Sequence, residues 1–334
     1  MLRPLMLHEI DEEARASSLV YTFGGVEPVA TLLRGTDLRT STLDCFAGLV
    51  RRAEDLPSVV CDPRYLNPQT GPFYVEGARP GDTLAVHFAS IEPRHDWGVS
   101  STVPFFGALT ASRDTALLHE ALPERTWIYD LDSAEGQVHF RALDSGLTVP
   151  LPLDPMHGTV GVAPPLGEVR SSLTPGSWGG NMDTPEMRAG ATCYLGVNVE
   201  GALLSFGDGH ARQGEGESCG VAVECAMDTT LRVDVVSGVV TPWPRIETDD
   251  HWMTTGSAKP LEDAFRIAHT QMVRWLEDLL DLSTMDAYQL VAQVALTPVA
   301  NVCDTVYTVV CKVPKAFFPG VVAMHGVHDA LRRP

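Results

Sequence analysis

The chain has 334 residues, 44% hydrophobic and 20% charged, with 24 Lys and Arg against 43 Asp and Glu and a formal charge of −19. That length suits about two domains with ample core material. A chain this acidic repels phosphate backbones, which excludes nucleic acid as a partner; most of the charge reads as solubility.

The cysteines number seven, with no Cys-x-x-Cys pair, and several sit in apolar runs such as Cys219 to Cys225. They read as buried thiols in a reducing compartment, not as a disulfide frame or a zinc ribbon. The first residues turn acidic at Glu9, too early for a secretory signal. No apolar run reaches membrane-spanning length. The expectation is a cytoplasmic protein without a membrane partner.

In chain order, residues 17–50 read as short extended stretches ending at Asp44-Cys45-Phe46-Ala47-Gly48. Leu56 to Gly81 is rich in Pro and Gly turns. Thr83 to Phe88 alternates with period two, as a half-buried strand does. Residues 92–150 are irregular, with strands predicted at Thr126–Tyr129 and Gln137–Phe140. Further β runs follow at Thr192–Val199, Ala202–Phe206, Cys219–Glu224 and Thr230–Val240. Helical spacing becomes clear only late. Leu261, Ala264, Phe265, Ala268, Met272, Trp275, Leu276 and Leu279 share one face. A second helix is predicted from Ser283 or Thr284, with Ser283 and Asp286 as a capping box and Ala287, Leu290, Val291 and Val294 facing inward. Thr305 to Cys311 reads as a last strand, closed by Pro314.

The pattern predicts a mainly β protein with sandwich- or barrel-like parts and a C-terminal helical pair, α+β overall. No βαβα alternation supports a doubly wound fold. The expected division is an N-terminal β-rich domain over 1–155, a catalytic β-rich domain with the helices over 156–315, and a tail over 316–334.

Two glycine-rich stretches carry the chemistry. Asp208 and His210 stand two apart, so an extended segment sends both side chains to one side. They can share a divalent cation or form an acid–imidazole hydrogen bond; an Asx-turn beside a surface His is the plainer alternative. Gln213, Glu215 and Glu217 follow at once. Asn181 and Asp183 stand on Gly179-Gly180 with the same spacing. His157, which opens another glycine-containing run, is a candidate third ligand. Asp44 is a weaker candidate. Glu224 lies in an apolar run, where a lone carboxylate is costly unless paired, and could support the ligands from behind. His95-Asp96 and the His325 to His328 pair rank lower. Ser205 and Ser218 lie outside any nucleophile elbow, and Cys219 precedes an apolar run that argues for a buried thiol.

Several stretches, in this order, resemble the acetamidase/formamidase family of linear-amide hydrolases: Asp44 to Gly48, Asn67 to Asp82, Gly158 to Pro164, Gly179 to Asp183, and Gly207 to Glu217. The resemblance covers about residues 40–313. It implies hydrolysis of a short amide, such as formamide or acetamide, to the acid and ammonia. It further implies a mostly β fold, frequent homo-oligomers, and bound divalent metal in some members. Arg212 and Glu215 depart from the family pattern, where a small residue and Asp are expected. The segments 94–150 and 241–258, with Trp243, His251 and Trp252, look individual to this chain and able to reshape the pocket.

The resulting expectation is a metal-assisted amidase. Asp183, His210 and His157 hold the ion, with Asp208 as a further ligand or as the group that orients His210. Zinc is the expected ion and calcium the alternative. Asn181 or a loop N–H stabilises the oxyanion, Glu217 moves the proton, and Gln213 and Asp44 contact the substrate. The rival expectation is a non-catalytic β-sandwich module that binds a small carboxamide or a structural calcium ion. The placement of His210 separates the two, because an imidazole among the ligands favours zinc chemistry.

Overall fold

The alternation of Thr83 to Phe88 extends through a long strand, Thr83–Pro93, in the middle of a nine-stranded sheet. The structure, a computed structural model, describes residues 3–110 and 121–333. From edge to edge this sheet runs Leu5–Leu7, Asp37–Thr42, Met227–Val236, Thr83–Pro93, Thr192–Gly196, Arg245–Glu247, His251–Ala258, Tyr307–Pro314 and Val299–Asn301. Its neighbours are antiparallel except the pair Leu5–Leu7 and Asp37–Thr42.

Period two explains how this sheet fills both of its faces. Leu84, Val86 and Phe88 enter one core while Ala85 enters another. Cys193 and Leu195 face the first, and Tyr194 faces the second. Met253 and Trp252 divide in the same way. Strands covered on both sides read as nearly continuous apolar runs.

The first core lies between this sheet and a ten-stranded one. Phe88 meets Phe206 of the second sheet edge to face, ring centroids 6.4 Å apart. The second sheet contains Leu204–Arg212, flanked by Met156–Gly161 and Val223–Glu224 and also paired with Gln69–Val75. Gly179–Asn181 pairs with Met156–Gly161. Of the predicted Cys219–Glu224 run only Val223–Glu224 is strand, because a turn at Glu217 to Gly220 takes the residues before it.

The other face of the nine-stranded sheet carries the helices Leu261–Leu280 and Thr284–Val294. Trp275 and Leu276 bury against Trp252 and Tyr194. Phe265, expected on the apolar face, is 45% exposed and stacks on His269 instead. Ser283 caps the second helix, its Oγ accepting from Asp286 N at 3.2 Å. No helix of the described residues is long and apolar enough to cross a membrane.

Two expectations about organisation need correction. Both sheets draw strands from either side of residue 155, so a boundary at 155/156 would cut each of them. The stretch from residue 316 is docked rather than free. Met324 and Leu331 join the second core, and buried His328 bonds Thr192 Oγ1 through Nδ1 at 2.8 Å. Within the chain-specific stretch 94–150, residues 111–120 lie outside the described residues.

The first helix crosses its sheet closely enough to require a glycine. A Cβ added at Gly256 would lie 2.3 Å from Ala264 O and 2.6 Å from Ala268 N. Gly256→Ala should therefore cost about 1–3 kcal/mol or more by overpacking, read as a lower denaturant midpoint. Gly214→Ala, which meets nothing within 4 Å, should stay within about 0.5 kcal/mol. Equal effects at the two positions would refute this account of the crossing.

Candidate active site

Three antiparallel strands bring the two glycine-rich stretches together. Thr159 pairs with both Asn181 and Gly207, and Met156 pairs with His210. Asp208 and His210 therefore face the same place as Asn181 and Asp183. Turn and loop segments add Asn67, Glu217 and Asp304, and the end of the edge strand Val299–Asn301 adds Asn301. Asn67, Asp183, Asp208 and Glu217 all take positive φ, between 42° and 59°. Side chains rarely accept that region, and each such residue costs on the order of 1–3 kcal/mol. Four at one site mark a place where position is held against local preference.

Glycine at 158 is needed for another reason. A Cβ there would fall 2.4 Å from Asp183 Oδ1, 2.6 Å from Asp208 Oδ2 and 2.9 Å from His210 Cε1. The bare backbone lets the three groups converge over it.

Five carboxylates, those of Asp183, Asp208, Glu217, Glu224 and Asp304, surround the single imidazole of His210, and all six residues are at most 8% exposed. His210 Nε2 lies 3.5 Å from Asp208 Oδ1 and 3.3 Å from Glu224 Oε2. Its Nδ1 lies 2.9 Å from Gln213 Oε1. The Gln213 amide nitrogen donates to Asp183 O at 2.6 Å and to Ala300 O at 3.1 Å. Gln213 therefore presents its oxygen to the ring, so Nδ1 carries a hydrogen and Nε2 is directed at the acids.

Amides and a hydroxyl tie the acids to one another. Asn181 Nδ2 donates to Asp183 Oδ2 at 3.0 Å and to Asp304 Oδ2 at 2.8 Å. Asn301 Nδ2 donates to Asp183 Oδ2 at 3.1 Å. Asn67 Nδ2 donates to Thr159 Oγ1 and to Asn181 Oδ1, each at 2.9 Å. The Thr159 hydroxyl reaches Asp208 Oδ2 at 3.1 Å.

Burial and mutual repulsion dominate the titration of these groups. Burial, then the charges of Glu217, Asp304 and Asp208, pushes Asp183 well above the carboxylate range. Glu217 is likewise pushed well up, chiefly by burial, and burial also raises Glu224. Burial pushes Asp304 up to about 7 against the pull of its hydrogen bonds to Asp183 and Asn181. Burial works against the charged form of Asp208 too, but His210 and the hydrogen bonds to it overcome that and hold it low. Burial would lower His210; Glu224 and Asp208 reverse this and raise it well above an ordinary imidazole.

The cluster suits a divalent cation. Donor atoms of Asp183, His210 and Glu217 lie within 4.8 Å of one another, as do those of Cys45, Asp208 and Glu224. Asp183 Oδ1 is buried and accepts no hydrogen bond from the described residues, and Glu224 Oε2 has the His210 ring beside it at 3.3 Å. Buried acceptors are normally satisfied, and five acids against one base leave negative charge that a cation would balance.

Several expected roles change. His157 is fully buried, its Nδ1 3.1 Å from Gly207 O and its Nε2 2.8 Å from Thr229 Oγ1, between Phe88 and Phe206. Both ring nitrogens have protein partners, and it falls outside both donor groups, so it belongs to the core and not to a ligand set. Asp44 Oδ1 accepts from Phe46 N at 2.9 Å and Gly48 N at 3.0 Å. It shapes the turn that presents its neighbours Cys45 and Phe46 to the cavity, and does not line that cavity itself. Gln213 also lies off the cavity and holds His210 rather than a substrate. Both N–H groups of Asn181 are committed to acids, which removes it as an oxyanion donor. Glu224 touches His210 directly. Cys219 is exposed and stands apart from the acids. Asn67, Asn301, Asp304 and Cys45 escaped notice as members of the site. Asn67 lay in a stretch that read as turn chemistry. Asn301 and Asp304 could have been found only as a polar interruption between two apolar runs.

Asp208, Glu217, Glu224 and Asp304, with Asn67 and Asn181, line part of a cavity of about 510 Å³. A family model described as the acetamidase/formamidase family matches residues 23–169 and 168–265. The crystal structure of an acetamidase from Yersinia enterocolitica superposes with a TM-score of 0.86 at 38% identity, covering 94% of each chain. An acetamidase from Mycolicibacterium smegmatis is 28% identical in an alignment that covers 64% of this chain and 64% of that protein. A formamidase from Methylophilus methylotrophus is 25% identical in an alignment that covers 62% of this chain and 61% of that protein. The chain thus spans a little under two thirds of the length of these two relatives.

The core placement of His157 has a pH signature. Burial holds its pKa down at about 4, below an ordinary 6.5. Between those values the unfolded chain carries the extra proton, so its contribution to stability is complete above about 6.5 and is lost as pH falls toward 4. The difference in unfolding free energy between the native protein and His157→Gln should shrink by roughly 1 kcal/mol per unit as pH drops from 6.5 to 5. A pH-independent difference in urea titrations would contradict this.

Proposed function

The chain belongs to the acetamidase/formamidase family, and from that premise we propose that it hydrolyses the C–N bond of a linear carboxamide to the carboxylate and ammonia. The single observation carrying this reading is the convergence of Asp183 and His210 on Glu217, which lines a cavity large enough for a substrate. A binding module would not need a carboxylate raised far above its ordinary range facing that cavity.

In this proposal Asp183 and His210 would hold a divalent cation, with Asp208 and Glu224 beside His210 and Glu217 next to them, free to handle a proton. The mixed imidazole and carboxylate set favours zinc over calcium, which prefers oxygen alone. Such a cation supplies positive charge that polarises the amide carbonyl and makes nearby water more acidic. Gln213 fixes the His210 tautomer so that Nε2 faces the site. Glu217, lining the cavity, accepts the proton of the attacking water as the C–O bond forms. It returns that proton to the amide nitrogen as the C–N bond breaks, and the carboxylic acid and ammonia so formed exchange the remaining water proton to leave carboxylate and ammonium. A proton affinity raised by burial suits a group that must both take and give a proton.

A homo-oligomer forms part of the same reading. The edge strand Leu5–Leu7 leaves Leu5 51% and Leu7 70% exposed, as a strand meant for pairing does. Light scattering should give a multiple of the chain mass; a monomer would remove this element.

Ammonia release from a panel of primary amides tests the activity. Glu217→Gln should lower kcat/KM by about 10²–10⁴-fold, and Asp183→Asn and His210→Ala should each abolish most turnover. Activity should fall as pH is lowered, because Glu217 must be unprotonated. With its affinity raised, that limb should lie well above the roughly 4.3 of a free Glu. Exhaustive chelation should remove activity, and zinc should restore both activity and thermal stability. Full turnover after chelation, or in both Asp183→Asn and His210→Ala, would overturn the assignment.

A further inference from the structure

The cavity is too large and too apolar for the smallest amides alone. At about 510 Å³ it falls in the ~300–1,000 Å³ range of sites that enclose drug-sized ligands. A four-heavy-atom amide, at roughly the 30 Å³ that a water molecule occupies per atom, needs only on the order of 100 Å³. Asp208, Glu217, Glu224 and Asp304 lie at one end with Asn67 and Asn181. The remaining wall is formed largely by Phe46, Leu66, Val103, Phe105, Phe106 and Leu173.

That wall is packed rather than loose. Phe46 and Val221 belong to a small separate core with Val50 and Val99, and Leu66, Val103 and Phe106 lean against it. Asp44 pins the turn that carries Phe46. Phe105 is 50% exposed. The described lining residues include four acids and no Lys, Arg or His, so on these residues a second carboxylate on the substrate would meet repulsion.

We propose that the preferred substrate is a neutral primary amide bearing an aromatic or arylalkyl acyl group, with the ring held by Phe46, Phe105, Phe106 and Leu173. This rests on the amidase reading above and deepens it. Three phenylalanines around one space favour a ring over a straight chain, since aromatic pairs gain beyond their buried area. The amide end then reaches the carboxylates without displacing the ring from the apolar wall.

The test compares kcat/KM by ammonia release for acetamide, 2-phenylacetamide and 4-carbamoylbenzoate with the metal-loaded, full-length protein. Phenylacetamide should exceed acetamide by at least about tenfold, and the carboxylate-bearing amide should fall below phenylacetamide by a similar factor. Phe106→Ala and Leu173→Ala, each checked for an unchanged melting profile, should both reduce the phenylacetamide-to-acetamide ratio by at least about threefold. Turnover of acetamide with a ratio below about tenfold, or a ratio that neither variant moves, overturns the aromatic preference and leaves the amidase reading standing. Ammonia from none of the amides overturns both.

Discussion

Five buried carboxylates around one imidazole is an arrangement that a protein does not keep for stability. Each acid taken from water loses solvation that only a counter-charge or a proton can replace. The fold answers in part with protons, which is why Asp183 and Glu217 are pushed far up, and in part with His210. The amides of Asn181 and Asn301 supply hydrogen bonds to the same oxygens. What is still unmet, the bare Asp183 Oδ1, points toward the charge of a cation. The same cost explains the strained backbone at Asn67, Asp183, Asp208 and Glu217. Those conformations persist only where the surroundings determine them.

The surroundings are two sheets locked by a shared core. The strand Leu204–Arg212 sits inside the second sheet, and Phe206 on it packs against Phe88 of the first. That leaves Asp208 and His210 little freedom. His157 works from the same strand set in the opposite sense. Its ring, bonded to Gly207 O and Thr229 Oγ1, fills the core behind the site and keeps its proton affinity low. Two histidines on neighbouring strands thus have opposite electrostatic lives. One gains protons from neighbouring acids, and the other loses them to burial.

The cavity joins this anionic end to an apolar wall built on a third, smaller core. The two halves have different origins in the chain. The acids come from the middle third and from the approach to the last strand, whereas the wall comes mainly from residues 46–66 and 103–106. Reaction type and substrate choice can therefore vary independently, as expected where a rigid scaffold carries loops around a site.

Local patterns in the amino-acid sequence were sufficient for the mainly β class, the late helical pair and the Ser283 cap, and they marked the Asp183 and Asp208–His210 stretches as candidates. Each depends on residues near one another along the chain, through period-two alternation, 3,4 spacing or glycine turns. The partners of a buried histidine are set by distant strands, so only the tertiary structure could place His157 in the core and His210 among the acids. The same holds for Asn67 and Asp304, more than two hundred residues apart yet both on one cavity. It also decided that no boundary at residue 155 divides the sheets, because β pairing carries no local mark of which strand will be its neighbour.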